Sequence, residues 1–425
     1  MPIGRKSYAH RFILFVFAAL APLAVHAQSV PPAQMGISEA RLAHVTELVD
    51  RHIQAGDISG AVTLVARNGH VVHLQARGMA DLEKQAPMSV DSMFRIASMS
   101  KPVAAVAILI LMEEGKLRLA DPLSRFMPGF KNVQVAVSQP AAPPQLLPGP
   151  GTPPPPPHEF LVPAEREVTI LDVLTHTSGI MSGPVSNAAG AKLLENVRKR
   201  GLKWTDELHT VPLEFQPGSR WAYSPVAGFD LLSRLVEHIS GQDFNTFTRE
   251  RIFAPLGMRD TVFWPSAEQR QRLVGNYAKS PDGLTPLAEP DRLSSEVYFS
   301  GAGGLMSTAA SYARFAAMLA NGGEVDGVRI LSPRSVELMR AAWIPDTLPG
   351  RPPGEGYGLG VRVITDPVKR ITTLSKGSFG WSGVFGTHFF VDPRLKLTGV
   401  LMIQTPISSM RGDFEDAVMQ AVVVE

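Results

Sequence analysis

The chain has no cysteine among its 425 residues. That excludes a disulfide framework, a thiol nucleophile and thiolate-bound zinc. The fold must rest on core burial, and a chain of this length can bury a large core. A large excess of either charge is also missing. The formal net charge is +2, from 41 basic and 39 acidic residues. A nucleic-acid partner calls for a pronounced basic excess, and two charges do not amount to one. Several catalytic signatures are absent too. There is no G-x-S-x-G, which argues against an α/β-hydrolase, and no H-E-x-x-H. Gly301-Ala302-Gly303-Gly304 fails the dinucleotide spacing, because Met306 holds the last glycine position. His70 and His73 fall on opposite faces of a strand and make a poor metal pair. Neither a metal nor a cofactor is expected.

Long apolar runs are scarce outside the N-terminus. There, Arg5, Lys6 and Arg11 precede an apolar run from Phe12 to Val25. Val25 and Ala27 are small residues where a signal peptidase reads, so residues 1–27 read as a signal peptide. A spanning helix needs about 20 apolar residues, and Pro22 breaks this shorter run. Export to the periplasm or beyond is expected, with no stable membrane anchor after cleavage. Removing the three basic residues leaves 38 basic against 39 acidic.

Ten of the 36 prolines lie between Pro140 and Pro157. Such a run suits neither helix nor sheet interior, so 139–163 reads as a solvated surface loop. Before it, residues 38 to 54 carry a helical stripe of Leu42, Val45 and Val49, with Ser38 as cap and Gly56 beyond the end. Residues 62–67 and 70–76 are β-rich and meet at Asn68-Gly69, a favoured hairpin turn. Near the C-terminus, two strands flank Asp392-Pro393. Phe414, Ala417, Val418, Ala421 and Val422 then return to helical spacing. The predicted architecture is α+β: an antiparallel sheet from about 28–100 and 300–425, flanked by terminal helices, with an all-helical region inserted at about 101–299.

Two serines and a lysine stand at the mouth of a greasy segment: Ser98-Met99-Ser100-Lys101, then Val103 to Met112 without a charge. Pro102 suits a first helical turn, so a helix starts near Ser98 and ends at Gly115. Residues i and i+3 share a helix face, which puts Ser98 beside Lys101 and leaves Ser100 out. A desolvated lysine can serve as a base, and an adjacent base turns serine into a nucleophile. The plain alternative is Ser98 as an N-cap, with Lys101 reaching for water. In a second stretch, Pro225 marks a helix start with Ser224 as N-cap and Gly241 at its end. Tyr223 then sits on the preceding loop, as a projecting phenol or a packed aromatic. In a third, Gly380, Gly383 and Gly386 suggest a close approach to the backbone at a strand edge. His176 reads as framework that secures a loop with Thr177, with Gly179 ending the helix before it.

Together, Ser98-Met99-Ser100-Lys101, Tyr223 and Trp381-Ser382-Gly383 resemble the motifs of the serine β-lactamase superfamily. The likeness is to class C β-lactamases, D-Ala-D-Ala peptidases and family VIII carboxylesterases. LTHTSGI at 174–180, IFAPLGMRDT at 252–261 and SGAGGLMST at 300–308 extend it over residues 36 to 421. The resemblance implies the β-lactamase/transpeptidase-like fold and acyl transfer. Ser98 would attack a carbonyl, with Lys101 and Tyr223 handling its proton. The N–H groups of Ser98 and Val384 would form the oxyanion hole, and Trp381, Ser382 and Gly383 would bind substrate.

Two departures bear on substrate. Pro225 stands where relatives acting on β-lactams or peptides carry asparagine, whose amide could bond substrate or hold the lysine. Trp381 stands where they carry a cation, and an indole cannot pair with a carboxylate. Lys376-Gly377-Ser378 is a decoy, five residues upstream and out of register. The expected substrate is a small neutral ester. A β-lactamase, a D-Ala-D-Ala carboxypeptidase and a non-catalytic binding or assembly protein are the rival readings. Oligomeric state is left open.

Overall fold

The computed structural model describes residues 30–139, 158–287, 295–345 and 347–424. Residues 1–27, read above as a signal peptide, and the proline run from 140 to 157 lie outside the described residues. Helix α1 spans Glu39–Gln54, and the Ser38 hydroxyl accepts the Arg41 N–H at its start. Strands β1 (Gly60–Arg67) and β2 (His70–Asp81) form the expected hairpin. Asn68 and Gly69 both take positive φ, 52° and 82°, as a type I′ turn demands. β3 is the short Ala86–Pro87. Helix α2 runs Ser100–Glu113, α3 Ile170–Leu174, α4 Ala227–Ser240 and α5 Ala309–Ala320. Strands β4 (Glu355–Tyr357), β5 (Arg362–Ile364), β6 (Phe379–Ser382), β7 (His388–Asp392) and β8 (Leu397–Met402) follow. The C-terminal helix α6 is Ser408–Ala421.

The eight strands make one sheet in the order β4-β5-β6-β7-β8-β1-β2-β3, and every pairing is antiparallel. The N- and C-terminal parts of the chain meet where β1 pairs with β8, Val62 opposite Met402. Successive side chains of a strand point to opposite faces. Val62, Leu64, Phe389, Val391, Val400 and Met402 therefore join the core that holds α2 and α5. Ala61, Val65, Phe390, Leu397 and Leu401 join the other core, under α1 and α6. Cover on both faces explains why β1 is buried at all eight positions.

The inserted region differs from expectation in its strands. Residues 134–139 pair with 158–163, and 277–280 with 283–286. Alternating Val135, Val137, Phe160 and Val162 can build a ladder at the base of the proline run, so 158–163 is strand rather than loop. α2 is the hub of this region. Every residue from Ser100 to Leu111 is buried, whereas a surface helix keeps a polar face. Burial of each large side chain, such as Ile108, Leu109 or Leu111, stabilises the fold by about 1.5–3 kcal/mol. The helix is thereby anchored along its length, and its N-terminal end becomes a rigid mount.

Candidate active site

Ser98 sits in a 3₁₀ turn, Ala97–Met99, that leads directly into α2. The turn is strained, since Ala97 has φ 45°, a left-handed conformation that costs a non-glycine residue about 1–2 kcal/mol. Ser100 holds it in place. Its hydroxyl donates to the Ala97 carbonyl at 2.8 Å and accepts the Leu305 N–H at 3.1 Å. Tyr312 adds a 2.8 Å bond to the Met99 carbonyl. The second serine of the motif is thus a clamp for the first.

Lys101 is completely buried. Its Nζ donates to Ser98 Oγ at 3.2 Å, Pro225 O at 2.7 Å and Ala302 O at 2.8 Å. The i, i+3 pairing of Ser98 and Lys101 is realised. Pro225 lacks a side-chain amide, yet its main-chain carbonyl holds the lysine, so losing asparagine here does not release the amine. Side-chain chemistry could not reveal this, because any residue type offers a carbonyl.

Tyr223 comes from the loop before α4, and its hydroxyl donates to Ser98 Oγ at 2.8 Å. Lys101 Nζ lies 5.0 Å from the centre of the same ring. The helix begins two residues later than expected, with Val226 at the N-cap. Ser224 Oγ still accepts an orphan amide, that of Gly228, at 3.1 Å. His176 brackets the tyrosine. Its carbonyl accepts the Ala222 N–H at 3.1 Å, and its Nδ1 accepts the Ser224 N–H at 3.2 Å. His176 itself, with φ 59°, is the left-handed residue just beyond α3, and Gly179 lies further along with φ 78°. Burial, and then the charges of Lys101 and Arg351, hold its imidazole well below its usual value, so it stays neutral and can accept from Ser224. The expected loop-securing role thus extends to the tyrosine loop.

The opposite wall is the edge of β6. Trp381 packs 5.7 Å from Tyr223 and 5.2 Å from Tyr357, ring centre to ring centre. Trp221 stacks 6.4 Å from Tyr223. Gly383 explains the glycine signal there. A Cβ at this position would come within 2.5 Å of the Ile96 carbonyl, just upstream of the Ser98 turn. Thr387 Oγ1 donates to that same carbonyl at 3.2 Å. Val384 follows on the rim, 65% exposed, and its N–H has no partner among the described residues.

Ser382 faces elsewhere. Its hydroxyl lies 2.9 Å from His388 Nδ1, and His388 Nε2 lies 2.8 Å from Glu415 of α6. Arg362 pairs with the same carboxylate. Burial raises Glu415, but Arg362 and His388 outweigh it and hold the group at about 2. Lys376 is exposed in the turn before β6 and takes no part in the site.

Three structural elements therefore bring Ser98, Lys101, Tyr223 and the β6 edge together. A family model described as beta-lactamase matches residues 45–423. The chain belongs to the beta-lactamase family. Protein Rv1367c of Mycobacterium tuberculosis is 36% identical over 375 residues, covering 82% of this chain and 86% of that protein. Esterase EstB of Burkholderia gladioli is 31% identical over 436 residues, covering 93% and 99%. Among solved structures, EstCE1, a hydrolase with promiscuous acyltransferase activity, superposes with a TM-score of 0.74 at 25% identity, covering 91% of this chain and 99% of that one. The chain is a serine hydrolase with the β-lactamase/transpeptidase-like fold.

Sequence reasoning missed Asp230 and Tyr357. Asp230 is fully buried on α4 and accepts from Ser300 Oγ at 2.6 Å, Ala302 N at 3.1 Å and the Tyr298 hydroxyl. An aspartate one turn into an apolar helix, facing its buried side, was the available signal.

Proposed function

We propose that this serine hydrolase is an exported carboxylesterase for small neutral esters, working through a covalent acyl-enzyme on Ser98. The observation that carries the reading is that Ser98 Oγ is reached by both Lys101 Nζ and Tyr223 Oη, opposite an indole instead of a cation. Attack requires the Ser98 proton to pass to one of these two groups, which reverses one of the two hydrogen bonds. Oγ then bonds to the ester carbonyl carbon, and the carbonyl oxygen takes the negative charge. The N–H groups of Ser98 and Val384 stabilise that charge, a contribution of about 3 kcal/mol per donor in well-studied sites. The alcohol leaves with the proton. Water, deprotonated with help from Tyr223, then attacks the acyl carbon and frees Ser98. Trp381 and Trp221, backed by the fully buried Tyr357, form an apolar aromatic wall that suits an uncharged acyl or alcohol group better than a carboxylate.

Hydrolysis of p-nitrophenyl acetate and butyrate by wild type and Ser98→Ala tests this. We expect Ser98→Ala to lose at least ~10³-fold in kcat, as removal of an activated nucleophile does. Equal rates would sink the proposal. Efficient nitrocefin turnover with poor ester turnover would favour a β-lactamase or peptidase. Failure of a fluorophosphonate probe to label folded protein would favour a binding role. Export is tested separately by N-terminal sequencing of secreted or periplasmic protein, which should begin at Gln28.

A further inference from the structure

Behind Lys101 lies a buried carboxylate that the acyl-transfer chemistry leaves unused. Asp230 sits in the first turn of α4, on the same segment that supplies Tyr223 and the Pro225 carbonyl. Its Oδ1 accepts the Ala302 N–H at 3.1 Å and the Ser300 hydroxyl at 2.6 Å. Its Oδ2 accepts the Tyr298 hydroxyl. The Ala302 carbonyl, on the other side of the same residue, receives Lys101 Nζ at 2.8 Å. One residue of main chain therefore links the carboxylate to the amine. The neighbouring Gly301 fixes how closely this strap can lie, because a Cβ there would meet Ser233 Oγ at 1.9 Å.

We propose that Asp230 is a positioning residue for Lys101: through the Ala302 N–H it clamps the residue whose carbonyl holds the amine, and it places a buried carboxylate behind that amine. The inference rests on the esterase reading for its kinetic consequence, but not for its geometry. A carboxylate with no solvent exposure is costly unless its lone pairs are filled and a cation is near. Here three donors fill them. Burial pushes the Asp230 carboxyl up, and the hydrogen bonds from Ser300, Tyr298 and Ala302, with the charge of Lys101, oppose that rise. The other titratable groups facing the amine are Tyr223, through its ring and hydroxyl, and His176, held neutral by burial. Asp230 is the carboxylate whose field reaches the amine from behind. It touches no reacting atom and acts only through Ala302 and through its field.

The test uses Asp230→Asn, which keeps the shape and removes the charge, and Asp230→Ser, which also shortens the clamp. For p-nitrophenyl acetate we expect Asp230→Asn to lower kcat by about tenfold with KM little changed, the split seen when an interaction that matters only in the transition state is lost. Removing an anion beside an amine disfavours the charged amine. The kcat–pH profile of Asp230→Asn should then be displaced to lower pH relative to wild type. A purely structural role would lower kcat without moving either limb, and that outcome would overturn the proposal. A second readout is independent of activity. Crystal structures of both variants should retain the 2.8 Å contact between Lys101 Nζ and Ala302 O in Asp230→Asn and lose it in Asp230→Ser. Retention in Asp230→Ser overturns the clamp. If wild type hydrolyses no ester, the esterase reading fails by itself and the crystal structures still decide the role of Asp230. If Asp230→Asn does not fold, Asp230→Ser carries both measurements.

Discussion

The two walls of the site are built in opposite ways. On the helical wall, Ser98, Lys101 and Tyr223 are held from several directions by carbonyls, hydroxyls and a neutral histidine. On the sheet wall, β6 offers an exposed Val384, an unpartnered N–H and a flat indole. The dense wall suits proton handling, where a displacement of a few tenths of an ångström costs rate. The sparse wall suits substrate choice, where a single side chain can be exchanged without disturbing the nucleophile. The walls meet through Trp381 on Tyr223 and through the Thr387 bond to Ile96 O, and they leave no room for a Cβ where Gly383 faces that carbonyl.

Among changes that leave the nucleophile in place, the largest effect should come from prising the walls apart at Gly383. In Gly383→Ala the new Cβ meets Thr387 Oγ1 at 2.3 Å and the Ile96 carbonyl at 2.5 Å, and a main-chain oxygen cannot simply rotate away. The Val384 N–H must shift relative to Ser98, and misplacement of about 1 Å costs around 10²-fold in rate. We expect that loss in kcat for p-nitrophenyl acetate. Gly412→Ala, where a Cβ meets nothing within 4 Å, is the control and should keep full activity. Equal activity in the two variants would show that the contact between the walls does not govern the oxyanion geometry.

A smaller effect tests the division of labour itself. Trp381→Lys places a cation on the sheet wall and changes no residue of the helical wall, although it removes the ring that packs on Tyr223. The ratio of kcat/KM for nitrocefin over that for p-nitrophenyl acetate should rise about tenfold or more, in line with one charge-assisted contact to a carboxylate. Ser98 should label with a fluorophosphonate at close to the wild-type rate. A collapse of labelling would mean that the indole also supports the nucleophile through its packing on Tyr223.

The same division shows how far the sequence could be read. Features carried by spacing within one element were legible: the stripe of α1, the Asn68-Gly69 turn, the Ser98–Lys101 pairing. Resemblance added Tyr223 and the β6 motif. What stayed hidden are links that cross the chain. Ser100 serves the amide of Leu305, His176 that of Ser224, and Asp230 that of Ala302. Such links use main-chain atoms, which no residue type advertises, and they exist only once distant segments are packed. The strand at 158–163 was hidden for another reason. The proline run beside it dominates local composition, while its partner at 134–139 lies on the far side of that run.

The finest discrimination between the walls comes from the histidine buried behind each. His176 lies under Tyr223 and His388 under Ser382, and both are held below the ordinary value of 6.5, burial being the largest cause. A histidine depressed in the folded state binds fewer protons than it does unfolded. Each therefore contributes stability that is complete above about pH 6.5 and is lost as pH falls toward its folded value. The surroundings differ, however. Glu415 accepts from His388 and favours its charged form, outweighing the opposing charges of Arg362 and Arg411, whereas Lys101 and Arg351 both disfavour charge on His176 with no anion among the described residues to offset them. As pH is lowered from 6.5, His388 should take up its proton first, and the sheet wall should respond while the helical wall is still intact. Histidine Cε1–H resonances, assigned with His176→Asn and His388→Asn, give the order directly. The reverse order would place the better-buffered electrostatics on the helical side and would undo the contrast between a wall fixed for chemistry and a wall open to change.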